Sequence, residues 1–438
     1  MQIKKLDNVL LLMFLLGALL VRLPFLFIVP MVEAPDEYAH FWVTKFLSEN
    51  FAAPDAAQVA AGGPSAVYGS LPPFAYLPHV FFSHLIPGVD ISFSERIGSI
   101  FGGLATVFAA CKISELLFAG NRELRIALPL CVVLHPQFVF VNAYCNSDST
   151  ACALASLLIW VALLVIFRGP RLRYSAIAGV LCALIALSKF SALSVVPVVF
   201  FAIAAACWIY RMNFAQSIAR LGATALVAST ICIPWFARNA AVFNGDWLGT
   251  ITMRDTWAKT FGRSIQPVSW WSVLKQKVWW QQLFCSFWAV FGYQKHYLPA
   301  AFYVSFLLTI VLSLFGTFTQ ISQAVRRKTI SFDFIRQVEE GRTDDLKVLV
   351  AWLSLWLSTA LSCAGLLYAA VQNLGGPQGR YLFPSEVAFM SVILIGLASL
   401  SGKWGRWLVF AFVGLNGVTL IFSMIMLYSM FGFRIKPY

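Results

Sequence analysis

The chain is poor in charged residues. Of its 438 residues, 12% are Asp, Glu, Lys or Arg and 60% are hydrophobic, and the mean hydropathy is +0.77. A soluble protein carries about 25% charged residues, so this composition excludes an ordinary soluble domain. The sequence predicts an all-α polytopic membrane protein, with the whole chain, 1–438, forming one transmembrane domain.

Several short motifs are also absent. No CxxC pair occurs among the nine cysteines, so we interpret them as small packing residues; Cys145 and Cys285 fall in predicted outer loops, where a disulfide between them is one alternative. GxxxxGK[ST] is missing, which excludes a P-loop nucleotide site. Lys4 and Lys5 precede an apolar stretch long enough to span a bilayer, so no cleavable signal peptide is expected.

Long apolar runs predict the transmembrane helices. Runs of roughly 20 apolar residues give about eleven of them. Their predicted bounds are 9–29, 95–118, 125–142, 149–167, 174–188, 190–209, 221–237, 299–320, 348–371, 382–400 and 407–430. The proline-broken stretch 72–88 is too short to span and is expected to be re-entrant or to lie in the interface.

The Lys and Arg residues of the short loops predict the orientation. RGPRLR and SGKWGR mark the cytoplasmic side, which places the N-terminus in the cytoplasm and makes 321–347 an inner loop. The predicted outer segments that are long or chemically rich are 30–94 (the first loop), 238–298 (the second loop) and 372–386 (the third loop). The Lys and Arg residues behind the net charge of +13 lie in loops between apolar spans on both sides of the predicted bilayer. This placement indicates a lipid bilayer as partner and no nucleic acid. Because the long and chemically rich loops are the outer ones, chemistry is expected on the outer, periplasmic face.

Two adjacent carboxylates follow the first span, in the motif PDEYAHF. Asp36 and Glu37 fit the first turn of a short interfacial helix over about 36–49. Acids at a helix N-terminus stabilise it by about 0.3–1 kcal/mol, which is the structural alternative. His40 lies one turn further on, so the acids and His40 can face one ligand. We therefore predict Asp36 and Glu37 as catalytic, with a carboxylate acting as general base toward an acceptor hydroxyl.

Basic residues at other predicted outer boundaries suit a lipid phosphate. Lys189 separates two apolar runs, Arg238 leaves the seventh span, and Arg380 follows the glycine-rich stretch GGPQG. Arg380 at a helix N-terminus opposes the helix macrodipole, and its guanidinium can bind a phosphate through two hydrogen bonds. The alternatives are a Lys189 side chain reaching the interface, a helix anchor at Arg238, and an Arg380–Glu386 ion pair.

Polar neighbours complete the predicted substrate-binding set. Asn146 and Asp148, in the motif NSD, are explained equally well as helix caps. The substrate-binding residues that we predict are His40, Tyr68, Asn146, Asp148, Lys189, Arg238, Asn239, Gln378, Arg380 and Tyr381. A base in one place and cations in others suit the transfer of a sugar from a lipid phosphate to a hydroxyl, since the cations stabilise charge on the leaving phosphate.

Five motifs taken together resemble a known group. The order and spacing of the motifs are similar to a bacterial family of predicted membrane proteins of unknown function (PDExxH … QGRYxxP type), which itself resembles the GT-C superfamily of polyprenyl-phosphate-sugar-dependent glycosyltransferases. The motifs are PDEYAHF, PP at 72–73, NSD at 146–148, SFWAVFG at 286–292 and QGRYLFP at 378–384.

The resemblance has several implications. It implies a GT-C-like fold, an acidic motif at Asp36 and Glu37 followed by an interfacial helix, and a place in the bacterial inner membrane. It implies an inverting-type glycosyltransferase that moves a sugar from a polyprenyl-phosphate donor to a periplasmic glycan or lipid acceptor. The second acidic pair of metal-dependent members is matched only in part, by Asn146 and Asp148, so a divalent metal stays open and no metal ligand is assigned.

Other classes of protein remain as alternatives. A flippase or transporter of lipid-linked glycans would use rim charges as a path, but the sequence shows no paired inverted repeat. An O-antigen-type polymerase or ligase would also work on the outer face. The carboxylate motif after the first span favours the transferase over both.

Overall fold

The computed structural model describes residues 2–86, 89–262, 266–326, 343–373, 375–400 and 403–434, and this part of the chain is almost entirely helical. The helices and strands, in chain order, are α1 Gln2–Ile28, α2 Glu37–Asn50, α3 Ala56–Gly62, α4 Leu77–Leu85, α5 Ile91–Leu117, α6 Arg122–Leu134, α7 Pro136–Val141, α8 Asp148–Arg168, α9 Leu172–Ala186, α10 Val196–Ile209, α11 Phe214–Val242, α12 Thr250–Phe261, α13 Trp270–Leu274, α14 Lys277–Trp288, β1 Val290–Phe291, β2 His296–Tyr297, α15 Ala300–Arg326, α16 Asp344–Val371, α17 Glu386–Ala398 and α18 Lys403–Phe431. Short 3₁₀ helices lie at Met31–Glu33, Gly63–Ala66, Phe74–Tyr76, Phe190–Val195 and Gly379–Ser385. The two-residue strands pair antiparallel.

Nine helices of the described residues are long and apolar enough to cross a membrane. The protein is therefore a multi-pass helical membrane protein, as predicted. Two of the eleven predicted segments are shorter than a full span. Segment 125–142 is divided between α6 and α7, because Pro136 cannot donate the hydrogen bond that would continue the helix. Segment 174–188 contains the 15-residue helix α9.

Small residues bring α5 and α8 together. A Cβ atom added at Gly102 of α5 would lie 2.7 Å from the backbone carbon of Ser149, at the start of α8. Close approach through small residues is the usual way in which helices pack within a bilayer. This contact fixes the beginning of α8, where Asp148 lies, against the helix that carries Arg96.

The three predicted outer loops contact one another. Arg238 of the second loop donates hydrogen bonds to the Ala53 and Pro54 carbonyls of the first loop, and Gln294 donates to the Pro377 carbonyl of the third loop. The stretch 72–88 supplies the 3₁₀ helix Phe74–Tyr76 and α4, which packs against α5. These segments together form the part of the molecule that carries the polar site.

One further expectation is settled by the described residues, and another lies largely outside them. Cys145 and Cys285 are both buried free thiols, so no disulfide joins them. The predicted inner loop 321–347 lies largely outside the described residues, which resume at 343.

Candidate functional site

Asp36 directly precedes α2 and has a left-handed backbone, with φ 61°. Asp is among the few residues that tolerate this region. This geometry corrects the prediction that the PDE acids occupy the first turn of the helix, since only Glu37 does so. The turn directs the Asp36 carboxylate toward the third loop, where Oδ2 lies 2.5 Å from Nη2 of Arg380.

Arg380 lies in the 3₁₀ helix Gly379–Ser385 and is buried. Its Nη1 donates to the Tyr144 hydroxyl at 3.1 Å and the Pro35 carbonyl at 3.3 Å, whereas its buried Nε has no partner among the described residues. Glu386, the alternative partner considered above, contacts His135 at 2.8 Å instead. Arg380 is therefore held by the first loop and keeps one unused donor.

The glycine before Arg380 is required by close packing. A Cβ atom on Gly379 would lie 2.2 Å from the backbone nitrogen of Phe287 in α14. The backbone amide of Gly379 donates a hydrogen bond to the Ser286 hydroxyl at 2.9 Å. The QGR motif thus presses the Arg380 backbone against α14.

Asp148 and Lys189 form a second ion pair beside the first. Asp148, the first residue of α8, lies 2.6 Å from the Lys189 ammonium, and its Oδ2 is 3.7 Å from Nη1 of Arg380. The Tyr381 ring lies 5.6 Å from both cations. We call Asp36, Asp148, Lys189 and Arg380 the charged cluster; it joins the first loop, α8, the segment after α9 and the third loop.

Aromatic residues of the first loop border the charged cluster. The His40 ring stacks on Tyr68 with 4.6 Å between centroids, and its Nδ1 is 2.7 Å from the Tyr76 hydroxyl. Burial, followed by the nearby Lys189 and Arg380 charges, holds the pKa of His40 well below its ordinary value. Burial, with the Asp36 charge adding to it, raises the pKa of Tyr68. Both side chains are therefore neutral hydrogen-bonding groups near neutral pH.

Glu37 lies apart from the charged cluster. Its side chain is fully buried, and its two oxygens accept from Nε and Nη2 of Arg96 at 2.7 and 2.6 Å. The Cys145 amide donates to the same carboxylate at 2.9 Å. Glu37 was predicted as catalytic together with Asp36; in this structure the protein itself engages its buried carboxylate, whereas a general base needs an oxygen that a substrate can reach.

Three other predicted binding residues have structural contacts. Arg238 and Asn239 join the first and second loops, and the Asn239 amide donates to the Ser70 carbonyl at 2.9 Å. Asn146 caps the start of α8, since its Oδ1 accepts from the Ser149 amide at 2.9 Å. The structure thus gives each of these three residues contacts within the protein, and their predicted role in substrate binding stays a prediction.

Gln378 lies beside the charged cluster, on a small cavity that Pro35 and Arg380 also line. Together with Asp36, His40, Tyr68, Asp148, Lys189, Arg380 and Tyr381, it belongs to the predicted residues that the fold brings together.

The sequence did not single out Tyr144 or Arg96. Burial raises the pKa of Tyr144, so that it stays a phenol while it accepts from Arg380. Arg96 is fully buried near the start of α5 and also donates to the Leu26 and Val29 carbonyls. A charge beside a long apolar run was a usable signal for Arg96, whereas one tyrosine in an aromatic-rich chain was not.

The charged cluster fits a divalent metal poorly. Asp36 and Asp148 each already face a cationic side chain, and the described residues contain no group of three or more His, Cys, Asp and Glu that could hold a metal ion. Guanidinium and ammonium groups supply the positive charge that a metal would otherwise bring.

The fold and this site define a class: a multi-pass helical membrane protein with a GT-C-like fold. The described chain is similar to ArnT from Cupriavidus metallidurans in its crystal structure bound to undecaprenyl phosphate, with a TM-score of 0.56 and 14% identity over 95% of this chain and 75% of that one. Two weaker similarities are to apo ArnT from the same organism (TM-score 0.45, 15% identity, 96% and 77% coverage) and to the Archaeoglobus fulgidus oligosaccharyltransferase in complex with Zn and sulfate (0.46, 15%, 96% and 53%). No family model and no curated protein matches the chain.

Proposed function

We propose that this protein is an inverting-type glycosyltransferase that moves a sugar from a polyprenyl-phosphate donor to a hydroxyl of a glycan or lipid acceptor. The observation that carries the proposal is the meeting of Asp36 and Arg380, 344 residues apart in the chain, in a GT-C-like fold. The ArnT structure with undecaprenyl phosphate supports a polyprenyl carrier. We place the protein in the bacterial inner membrane with the charged cluster facing the periplasm.

Asp36 is the residue that we assign as general base. Its side chain is 19% exposed, and no hydrogen bond to Oδ1 is found among the described residues, so one oxygen can receive a proton. The acceptor oxygen bonds to the anomeric carbon as the bond from that carbon to the phosphate oxygen breaks. The acceptor proton passes to Asp36, and the lipid phosphate leaves with the electron pair.

Arg380 and Lys189 are the groups that we assign to the phosphate. The unused Nε of Arg380 and the 18% exposed Lys189 side chain offer donors to its oxygens. The Asp36–Arg380 pair holds both residues in place before the donor binds. The singly charged phosphodiester of the donor would compete for the guanidinium and leave the Asp36 carboxylate free for the acceptor, and the second negative charge that develops on the leaving phosphate would strengthen its contact with Arg380 and Lys189.

The test uses purified full-length protein in nanodiscs. It is given a panel of undecaprenyl-phosphate-linked pentoses and hexoses with glycolipids extracted from the outer membrane as acceptors, and release of undecaprenyl phosphate is measured. Release with at least one donor, lost in Asp36→Asn, supports the proposal. Full release by the Asp36→Asn variant would contradict the assignment of the base, and acceptor-independent lipid movement across the bilayer would support a flippase instead.

A further inference from the structure

The first and second loops enclose an open cleft of about 530 Å³ that is distinct from the charged cluster. One wall is α3 with the 3₁₀ helix that follows it. Its lining residues are small, among them Ala60, Gly63 and Pro64. The volume falls within the roughly 300–1,000 Å³ of ordinary ligand sites, and the small residues leave room for a ligand to lie close to the backbone.

The opposite wall is one polar face of α12. Thr252, Asp255, Thr256, Lys259 and Thr260 line the cleft at spacings of three and four, which place them on the same side of a helix. The Thr256 and Thr260 hydroxyls donate to carbonyls of their own helix, so their oxygens remain acceptors. Asp255 and Lys259 have no side-chain hydrogen bond or ion pair among the described residues, so both are available to a ligand.

The chemistry of this wall favours an uncharged saccharide. A carboxylate accepts hydrogen bonds from sugar hydroxyls, an ammonium donates to them, and threonine oxygens accept them. The charges of Asp255 and Lys259 cancel, so the cleft has no net attraction for an anion or a cation. The small residues of α3 can face the C–H surface of a sugar ring.

The two walls are fastened to each other before any ligand binds. Arg238 and Asn239 join the loops at Ala53, Pro54 and Ser70, as described above. The Ser70 hydroxyl also donates to the carbonyl of Gly249 at 2.7 Å. Gly249 has φ 72° and no space for a Cβ atom, which would lie 1.9 Å from the backbone carbonyl oxygen of Ser70. A cleft built in advance loses less entropy on binding.

The cleft lies close to the charged cluster. Pro64, on the cleft, and Tyr68 are four positions apart in the chain, so their Cα atoms are at most about 14 Å apart. Tyr68 stacks on His40, whose pKa is lowered by burial first and then by the nearby charges of Lys189 and Arg380. A saccharide in the cleft can therefore extend toward Asp36 along this aromatic border.

We propose that the cleft between α3 and α12 binds the uncharged saccharide part of the acceptor. Its place in the reaction rests on the function proposed above, but saccharide binding by the cleft does not. Asp255, Thr256 and Lys259 are the residues to which we assign recognition.

The experiment measures binding without turnover. Full-length protein in nanodiscs is titrated with maltotriose, chitotriose and laminaritriose, and saturation-transfer NMR reports bound sugar. At least one trisaccharide should bind, and Asp255→Asn with Lys259→Gln should weaken it about tenfold or more, since hydrogen bonds to charged groups are stronger than those between neutral groups. Lys275→Gln, an exposed substitution in the same loop, should leave it unchanged.

The outcomes separate this inference from the function it builds on. If no trisaccharide binds, or if binding survives the double substitution, the inference is wrong. If transfer is detected and the double variant leaves the acceptor KM unchanged, the inference is wrong while the transferase stands. If a trisaccharide binds through Asp255 and Lys259 but no donor is consumed, the cleft stands and the transferase fails.

Discussion

Two neighbouring residues, Asp36 and Glu37, each contact an arginine, but the two ion pairs differ. Glu37 and Arg96 are fully buried and joined by two hydrogen bonds, whereas the Asp36 side chain is 19% exposed and joined to Arg380 by one. The backbone is helical at Glu37 and left-handed at Asp36. The Glu37–Arg96 pair, with its polar atoms engaged, holds the fold together. The Asp36–Arg380 pair has unused polar atoms and a strained backbone at Asp36, so either residue can exchange its partner for a substrate group.

The comparison predicts that Asp36→Asn removes activity and little else. General-base catalysis contributes about 10²–10⁴-fold in rate, so we expect turnover to fall by about that factor. Asn keeps the shape of the side chain and tolerates the left-handed backbone. The thermal unfolding midpoint in nanodiscs should stay close to that of the unchanged protein. A large fall in the midpoint would show that Asp36 has the same structural role as Glu37.

Glu37→Gln should give the opposite pattern. Removing one partner from a buried ion pair costs about 3–5 kcal/mol, because the other charge is left unpaired. We therefore expect a lower unfolding midpoint and less folded protein in the membrane. The double variant Glu37→Gln, Arg96→Met should recover part of the loss, since no buried charge then remains. If Glu37→Gln folds normally and loses only turnover, the assignment of the base to Asp36 alone is wrong.

The sequence predicted much of the charged cluster because its residues interrupt apolar runs. Asp148, Lys189 and Arg380 each stand beside a span, and Asp36 lies in the loop that follows the first span. The sequence could not show where each side chain points. Arg238 also follows a span, but its side chain contacts the backbone of the first loop. The roles of the two adjacent acids depend on one left-handed residue, and no periodic pattern encodes that.

The transmembrane helices were also predictable from the apolar runs, and the prediction differs from the structure only at single segments. Nine helices of the described chain reach full span length, since apolar length alone specifies them. The break at Pro136 could be predicted from the proline itself, but not from hydropathy, because the apolar run continues through it. The tie between Gly249 and Ser70 depends on a contact over 179 residues, which a single sequence does not reveal.

Arg380→Lys tests the arginine of the Asp36–Arg380 pair. Lysine keeps the charge but loses the fork of donors that reaches Asp36 and Tyr144 together. We expect binding of undecaprenyl phosphate, measured by native mass spectrometry, to weaken about 10–100-fold, as the loss of one or two charged hydrogen bonds predicts. Arg406→Lys is the matched control, because the Arg406 side chain is 62% exposed and pairs with Glu123, which is not part of the charged cluster. Unchanged affinity in Arg380→Lys would remove this residue from the phosphate site.

The smallest effect concerns His40, which borders the charged cluster and not the Glu37–Arg96 pair. Its pKa in the folded protein lies well below the ordinary value of 6.5, so the unfolded chain binds a proton first as the pH falls. Stability is therefore complete above pH 6.5 and declines below it, by up to about 1.4 kcal/mol per pH unit until the folded pKa is reached. His40→Gln should flatten the dependence of the unfolding midpoint between pH 7 and pH 5. Because Lys189 and Arg380 contribute to the low pKa of His40, a bound phosphate that neutralises them should also reduce the slope, which links the stability of this region to occupancy of the site.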